Sequence, residues 1–178
     1  MKNQIFKILG CLLIILTFSC STEDGKDGEQ GPAGTANVMY SNWMNQNWND
    51  YDQPTSKSMS IEESNLTLDF RDNGGIVLGY FKVNGSSTYE FPLQDYNNNN
   101  VREFKSESYP TNGYVRYTIK STDGTTLTNV EVNGSTSDYN PQYRYILIPG
   151  GVNISGKSST DYKKMSYKEI CELFNIPE

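Results

Sequence analysis

The chain has no histidine, few cysteines and fewer basic than acidic residues. Among its 178 residues there are three cysteines, and 15 Lys and Arg stand against 21 Asp and Glu, for a net charge of −6. Without histidine, no catalytic triad with an imidazole base and no histidine-bound zinc site can form. The acidic balance argues against a nucleic-acid partner, which requires a basic face.

The chain also lacks a long hydrophobic run near its start. Residues 8–18 are mostly apolar and follow a segment that carries Lys2 and Lys7. A membrane-spanning helix needs about 20 apolar residues, so this run is too short to span a bilayer. Its length, after a positively charged start, is typical of a signal peptide. We therefore expect residues 1–19 to be a signal peptide.

The sequence LTFSC at positions 16–20 resembles the lipobox of bacterial lipoproteins. Ser19 is the small residue expected before the modified cysteine, and Thr17 stands where the lipobox prefers leucine. The resemblance implies cleavage before Cys20, a diacylglyceryl group on its thiol and an acyl chain on its new amino terminus. Cys20 is thus the predicted lipidation site, and these chains are the predicted contact with the membrane. The alternatives are an ordinary secretory signal and an uncleaved anchor.

The residues after Cys20 suggest where the anchored protein resides. Ser21, Thr22, Glu23 and Asp24 form a short acidic segment that resembles the surface-export signal of Bacteroidetes lipoproteins. This resemblance implies an outer-membrane lipoprotein that is exposed on the cell surface. A lipoprotein on the periplasmic face is the alternative.

Glycine recurs with a period of three in the segment that follows, at Gly25, Gly28, Gly31 and Gly34. This is the collagen period, but about 12 residues are too few to offset the entropy lost by ordering three chains. We therefore expect residues 20–36 to be a linker and the protein to be a monomer. The triplets, with GTANVMYSNW, YRYILIPGG and SYKEICELFNIP further on, resemble the "collagen-like" surface lipoproteins of Bacteroidetes. That resemblance implies a location and no activity.

Residues 37–178 are predicted to form one mainly β domain, an antiparallel sandwich or a barrel-like fold. Val115, Tyr117 and Ile119 alternate with polar residues, which indicates a strand with one buried face. The other predicted strands are 37–44, 65–70, 76–83, 89–93, 127–132 and 143–148. Turns are predicted at 72–75, 84–85, 97–100, 123–124, 133–134 and 149–151.

One short helix is predicted at the C-terminal end of this domain, over residues 167–174. Ser166 and Glu169 have the spacing of a capping box, and an apolar stripe follows. A helix of this length is unstable alone, so it must pack on the β domain. The stripe consists of Ile170, Cys171, Leu173 and Phe174. Cys171 has no partner for a disulfide, and we expect it to be buried.

Residues suited to catalysis or metal binding lack a supporting context. The acidic pairs Glu62–Glu63 and Glu103/Glu107 would suit a glycoside hydrolase, but nothing nearby distinguishes them from solvated surface acids. Asp95 begins a run like a calcium loop, which then has Asn100 and Ser106 where glycine and glutamate are required. We predict no catalytic site, no metal site and no cofactor.

The densest aromatic cluster is formed by Tyr40, Trp43, Trp48 and Tyr51. Such residues pack in cores, stack on sugar rings or form protein interfaces, and the sequence leaves these alternatives open. The predicted function is a lipid-anchored cell-envelope protein with a non-catalytic binding or structural β domain and a glycan or protein ligand. The alternative is a carbohydrate-binding surface lipoprotein associated with glycan uptake.

Overall fold

The fold consists of strands and a few short helices. The computed structural model describes residues 37–83, 88–91, 93–97, 100–134 and 140–178. In this part the strands are β1 Met39–Tyr40, β2 Met44–Asn45, β3 Tyr51–Gln53, β4 Ser56–Glu62, β5 Ile76–Val83, β6 Thr88–Glu90, β7 Leu93–Asn97, β8 Asn100–Tyr109, β9 Tyr114–Ser121 and β10 Pro141–Ile148. The helices described are α1 Leu68–Asp72, α2 Asn129–Asn133, α3 Ser159–Tyr162 and α4 Tyr167–Phe174.

These strands form two antiparallel sheets that pack face to face. The first sheet has the order β1-β10-β5-β6, with β2 also paired to β10, and the second has the order β3-β4-β9-β8-β7. The predicted mainly β sandwich with a C-terminal helix is therefore confirmed. β10 lies in the interior of the first sheet, between β5 on one side and the short β1 and β2 on the other.

The main hydrophobic core fills the space between the sheets. Val115, Tyr117 and Ile119 of β9 are fully buried there, as the alternation predicted, and meet Tyr143 and Leu147 of β10. The two sheets lie close together at Gly79 of β5, where an added Cβ atom would lie 2.3 Å from Oγ of Ser106. A glycine is required at this position because any side chain would push β8 away from β5.

A second core lies on the outer face of the first sheet, under the C-terminal segment. Ile146 of β10 is buried here, together with Tyr162 of α3 and Ile170 and Cys171 of α4. β10 is thus covered on both faces, which explains its nearly continuous apolar sequence. The predicted helix 167–174 is confirmed, and its capping box joins the side chains of Ser166 and Glu169 to the backbone.

Two segments predicted as strands are helical, and that part of the prediction is wrong. Residues 65–70 contain the start of α1, where the Thr67 hydroxyl accepts a hydrogen bond from the backbone N–H of Phe70. Residues 127–132 contain the start of α2, where Thr128 and Glu131 form a capping box. In both segments a threonine hydroxyl accepts a hydrogen bond from a backbone N–H of the first helical turn. In a strand, that N–H would have to pair with a neighbouring strand. The predicted turn at 133–134 is the end of α2.

Other boundaries also differ from the prediction. β4 and β8 were not expected, because Lys57 of β4 and Ser106 of β8 stand at inward positions where an apolar residue would have completed the alternation. β6 ends at Glu90, and residue 93 already belongs to β7 in the second sheet. Asn97 and Asn100, predicted as loop, are paired strand residues. The turn predicted at residues 84–85 lies outside the described residues.

Candidate functional site

Beside the second core, the outer face of the first sheet carries polar and charged residues. Gln142 of β10 is paired with Lys82 of β5 on one side and with Asn45 of β2 on the other. The amide of Gln142 also donates to Oδ1 of Asn45, at 3.3 Å. Neighbouring strands lie about 4.8 Å apart, so this polar row spans about 10 Å. With the adjacent rings and guanidinium we call it the cation–aromatic face, which consists of Tyr40, Trp43, Asn45, Lys82, Gln142 and Arg144.

Arg144 is the buried cation of the cation–aromatic face, with 3% of its surface exposed. Its Nε donates to the carbonyl of Ser41 at 2.9 Å, and its Nη1 donates to the Tyr167 hydroxyl at 2.5 Å and the carbonyl of Pro177 at 2.6 Å. The guanidinium carbon lies 4.9 Å from the ring centre of Tyr40. No described carboxylate forms an ion pair with it, so its positive charge is held by neutral acceptors and rings.

Lys82 is the half-exposed cation of the same face. Its Nζ lies 4.2 Å from the ring centre of Trp43, and the guanidinium of Arg144 lies 5.7 Å from that centre. Within the described part of the chain, this ammonium has no ion-pair partner and no hydrogen-bond acceptor. Desolvation, and then the positive charge of Arg144, lower the pKa of Lys82. Two like charges therefore share one aromatic surface.

The structure brings together only two of the four predicted platform aromatics. Tyr40 is 43% exposed and lies with Trp43 near Arg144. Trp48 packs on the core between the sheets, where its indole N–H donates to the carbonyl of Val132 at 3.2 Å. Tyr51 is exposed on β3, an edge strand of the second sheet. The face is thus built from Tyr40 and Trp43, with Trp48 used in the core.

The acidic pairs singled out in the sequence are parts of the sheet surface or of loop structure. Glu63 accepts hydrogen bonds from the hydroxyl of Tyr145 at 2.7 Å and from Asn65, and these bonds outweigh desolvation and lower its pKa. Glu103 and Glu107 lie four residues apart on β8, a separation of about 13 Å. The carboxyls of glycosidases are about 5 to 9.5 Å apart. Within the described residues, no group of three or more potential ligands could hold a metal ion.

A second cation with aromatic neighbours, Arg116, lies on the outer face of the second sheet. Its Nε is 2.6 Å from a carboxylate oxygen of Asp50, and its Nη atoms donate to the hydroxyls of Tyr109 and Tyr114. The two tyrosine rings stack with their centres 4.7 Å apart. Each nitrogen of this guanidinium has a partner, so the cluster is a complete ion-pair network. It contrasts with the unpaired charges of the cation–aromatic face.

A cleft of about 320 Å³ lies between β5, β6 and the C-terminal segment. Its walls are mainly apolar, and its charged groups are Glu90 and Lys163, one of each sign. It does not bring together a nucleophile and a base or several donors of one kind. Its lining includes Leu78, Tyr80, Phe91, Ser106 and Met165.

The sequence interpretation did not single out Lys82, Gln142 or Arg144. A usable signal was present, because Lys82 interrupts the apolar strand 76–83 and Arg144 interrupts the sequence YRYILI. A charged residue within a strand that is covered on both faces needs a specific environment. The environment here depends on the pairing of β10 with β2 and β5, which the sequence pattern did not reveal.

The predicted lipidation and export residues, Cys20 and Ser21 to Asp24, lie outside the described residues, as do the glycine triplets. Among the residues described, no helix is long and apolar enough to cross a bilayer. Comparison of the chain with protein-family models, curated proteins and solved structures found no match.

Proposed function

We propose that this chain is a lipid-anchored cell-envelope protein whose β-sandwich is a non-catalytic binding domain. The cation–aromatic face is its proposed ligand site. The observation that carries the proposal is the pair Lys82 and Arg144, two neighbouring cations that have no ion-pair partner among the described carboxylates. They occur in a chain with a net charge of −6, where carboxylates are plentiful.

Unpaired neighbouring cations oppose folding, because like charges repel and each loses hydration when it is partly buried. A sheet surface built only for stability would place a carboxylate beside them, as Asp50 stands beside Arg116. Within the described residues no carboxylate stands beside Lys82, and a ligand that supplies one explains this arrangement. This is the general pattern of a site whose charges are perturbed for function.

The anchoring part of the proposal rests on the sequence. The apolar run 8–18, Ser19 and Cys20 match the order of a lipoprotein signal, and two or more acyl chains give stable membrane attachment. The acidic segment 21–24 supports placement on the cell surface, with the periplasmic face as the alternative.

Membrane fractionation of the Cys20→Ala variant tests the anchor. We expect this variant to leave the membrane fraction, because the acylated thiol is lost. Cys11→Ala is the matched control, since it removes a cysteine within the predicted signal peptide and should leave fractionation unchanged. Equal membrane retention of Cys20→Ala and the parent would refute the anchor.

Specific residues of the face favour a carbohydrate as the ligand. Such a ligand would suit a surface lipoprotein associated with glycan uptake. The exposed ring of Tyr40 offers an apolar surface for the C–H groups of a sugar. The amides of Asn45 and Gln142, half-exposed or exposed in the same face, can both donate to and accept from hydroxyls.

A glycan array probed with the full chain tests this form of binding. We expect at least one glycan to bind the parent, and we expect its binding to be lost in the Tyr40→Ala variant. Tyr51→Ala is the control, because Tyr51 is similarly exposed but lies on the other sheet. Binding that is lost in Tyr51→Ala and kept in Tyr40→Ala would contradict the assignment of the site.

A further inference from the structure

The most unusual group of the cation–aromatic face is the ammonium of Lys82, which lies over the Trp43 ring without any acceptor in the described part of the chain. An ammonium has three donors, and an unpaired one is normally fully hydrated or pairs with a carboxylate. This position therefore leaves room for an anionic group of a ligand. We infer that the cation–aromatic face binds a sugar that carries a carboxylate, with that carboxylate on Lys82. The inference rests on the proposed binding function.

Lys82 and Arg144 have different roles in this arrangement. Arg144 is almost completely buried, and its Nε and Nη1 are bound to fixed acceptors on Ser41, Tyr167 and Pro177. It contributes positive potential, while the half-exposed Lys82 contacts the carboxylate. Glu90, a described acid in the neighbouring strand β6, accepts the backbone N–H of Tyr167 at 2.8 Å and forms no described ion pair with either cation.

The remaining groups of the face favour a sugar over a simple anion or an acidic peptide. The row formed by Lys82, Gln142 and Asn45 crosses three strands and spans about 10 Å, which is wider than one small anion requires. Tyr40, which lies against the guanidinium of Arg144, adds an exposed ring to the face. A sugar acid presents a carboxylate, several hydroxyls and an apolar ring face together, and each has a counterpart here.

The net charge of the protein strengthens the case for a dedicated cationic site. At a net charge of −6, the long-range field repels an acidic ligand. Such a ligand binds only where local cations outweigh that field, and the shared aromatic surface under Lys82 and Arg144 is such a place. On the second sheet, the described cation with aromatic neighbours, Arg116, is already paired with Asp50.

Calorimetric titration of the full chain in detergent with trigalacturonate tests the inference, with its trimethyl ester as the neutral twin. We expect the acid to bind the parent at least about tenfold more tightly than the ester, about 1.4 kcal/mol. Lys82→Gln should remove this preference. Lys120→Gln, an exposed lysine on the other sheet, is the matched control and should keep it. Circular dichroism confirms that each variant is folded.

The outcomes separate this inference from the proposed function. If acid and ester bind the parent equally and Tyr40→Ala weakens both, the carboxylate inference is overturned while a glycan-binding face stands. A preference for the acid that survives Lys82→Gln also overturns the inference. If neither ligand binds the folded parent, the carboxylate inference is overturned, and the glycan array then decides the proposed function on its own.

Discussion

At the scale of single residues, one polar group in the main core stands out. The hydroxyl of Tyr117 is buried between the sheets and has no hydrogen-bond partner among the described residues. Burial raises the pKa of Tyr117 well above its ordinary value, and the neighbouring tyrosines add to that effect. A buried hydroxyl without a partner costs about 1 to 3 kcal/mol. The ring of Tyr117 packs against the rings of Phe91 and Tyr143. Its contribution to the core therefore comes from the aromatic ring and not from the hydroxyl.

Replacement of Tyr117 by phenylalanine should therefore leave stability unchanged or raise it by about 1 kcal/mol. Tyr145→Phe is the matched control, because the Tyr145 hydroxyl donates to Glu63 at 2.7 Å. That variant should lose about 1 to 2 kcal/mol, since it leaves a charged acceptor without its donor. Denaturant unfolding of both variants measures the difference. A larger loss in Tyr117→Phe than in Tyr145→Phe would contradict this view of the core.

At the scale of elements, the C-terminal helix α4 is held by its apolar stripe. Ile170 is completely buried and Cys171 is 2% exposed, whereas Phe174 is only half-buried and packs edge-on against Tyr162. The stripe was predicted to face the sheet, but its main anchor is Ile170 and not Phe174. Desolvation, the largest cause, raises the pKa of the Cys171 thiol, so the native thiol should react slowly.

Ile170→Ala should destabilise the domain by about 2 to 5 kcal/mol, because it leaves a cavity under α4. Phe174→Ala should cost less, since part of its ring is already in solvent. Glu172→Ala, at an exposed position of the same helix, should change stability by less than about 0.5 kcal/mol. Thermal unfolding and the rate of thiol labelling at Cys171 measure these effects. Fast native labelling with a negligible effect of Ile170→Ala would mean that α4 is not docked.

The elements also show what the sequence could reveal. β9 and β10 were predictable because alternation, or an unbroken apolar run, reflects how many of their faces are covered. The helices α1 and α2 were missed for two reasons. Leu66, Leu68 and Phe70 alternate with the period of a strand. The threonine caps that begin each helix are local features, which such a period does not reveal. Each of these helices has five residues, which are too few for a helical period to appear.

The site was less predictable than the fold. Tyr40 and Trp43 were found because aromatic residues cluster in the sequence, but Lys82 and Arg144 come from strands far apart in the chain. Their proximity depends on the register of β10 against β5. Two residues so far apart in the sequence cannot be recognised as neighbours until the order of the strands in the sheet is known.

At the scale of the whole molecule, buried tyrosines couple the fold to alkaline pH. Desolvation, and then a hydrogen bond with Cys171, raise the pKa of Tyr167 to about 12. Burial raises the pKa of Tyr80 and Tyr145 further. In the unfolded chain these groups ionise near their ordinary value of 10.0. The native state therefore binds more protons above this pH, and its stability falls as the pH rises from about 10 through 12.

We expect loss of β structure and ionisation of the buried tyrosines to occur together between about pH 10 and pH 12. Circular dichroism and the absorbance of tyrosinate, recorded on the same samples, measure the two events. Tyr117→Phe should shift the unfolding midpoint to higher pH, because it removes a buried tyrosine whose pKa is raised without removing a described hydrogen bond. Full tyrosine ionisation with the β signal intact would contradict the burial described above.

The central claim is that a ligand binds on the cation–aromatic face of the first sheet. Hydroxyl-radical footprinting of the full chain, with and without trigalacturonate, tests it most directly because it reports the contact residue by residue. We expect the ligand to protect Tyr40 and Trp43 from oxidation and to leave the equally accessible Tyr51 unchanged. Protection of Tyr51, or of the stacked pair Tyr109 and Tyr114, with Tyr40 unchanged would place the ligand on the second sheet and contradict the account.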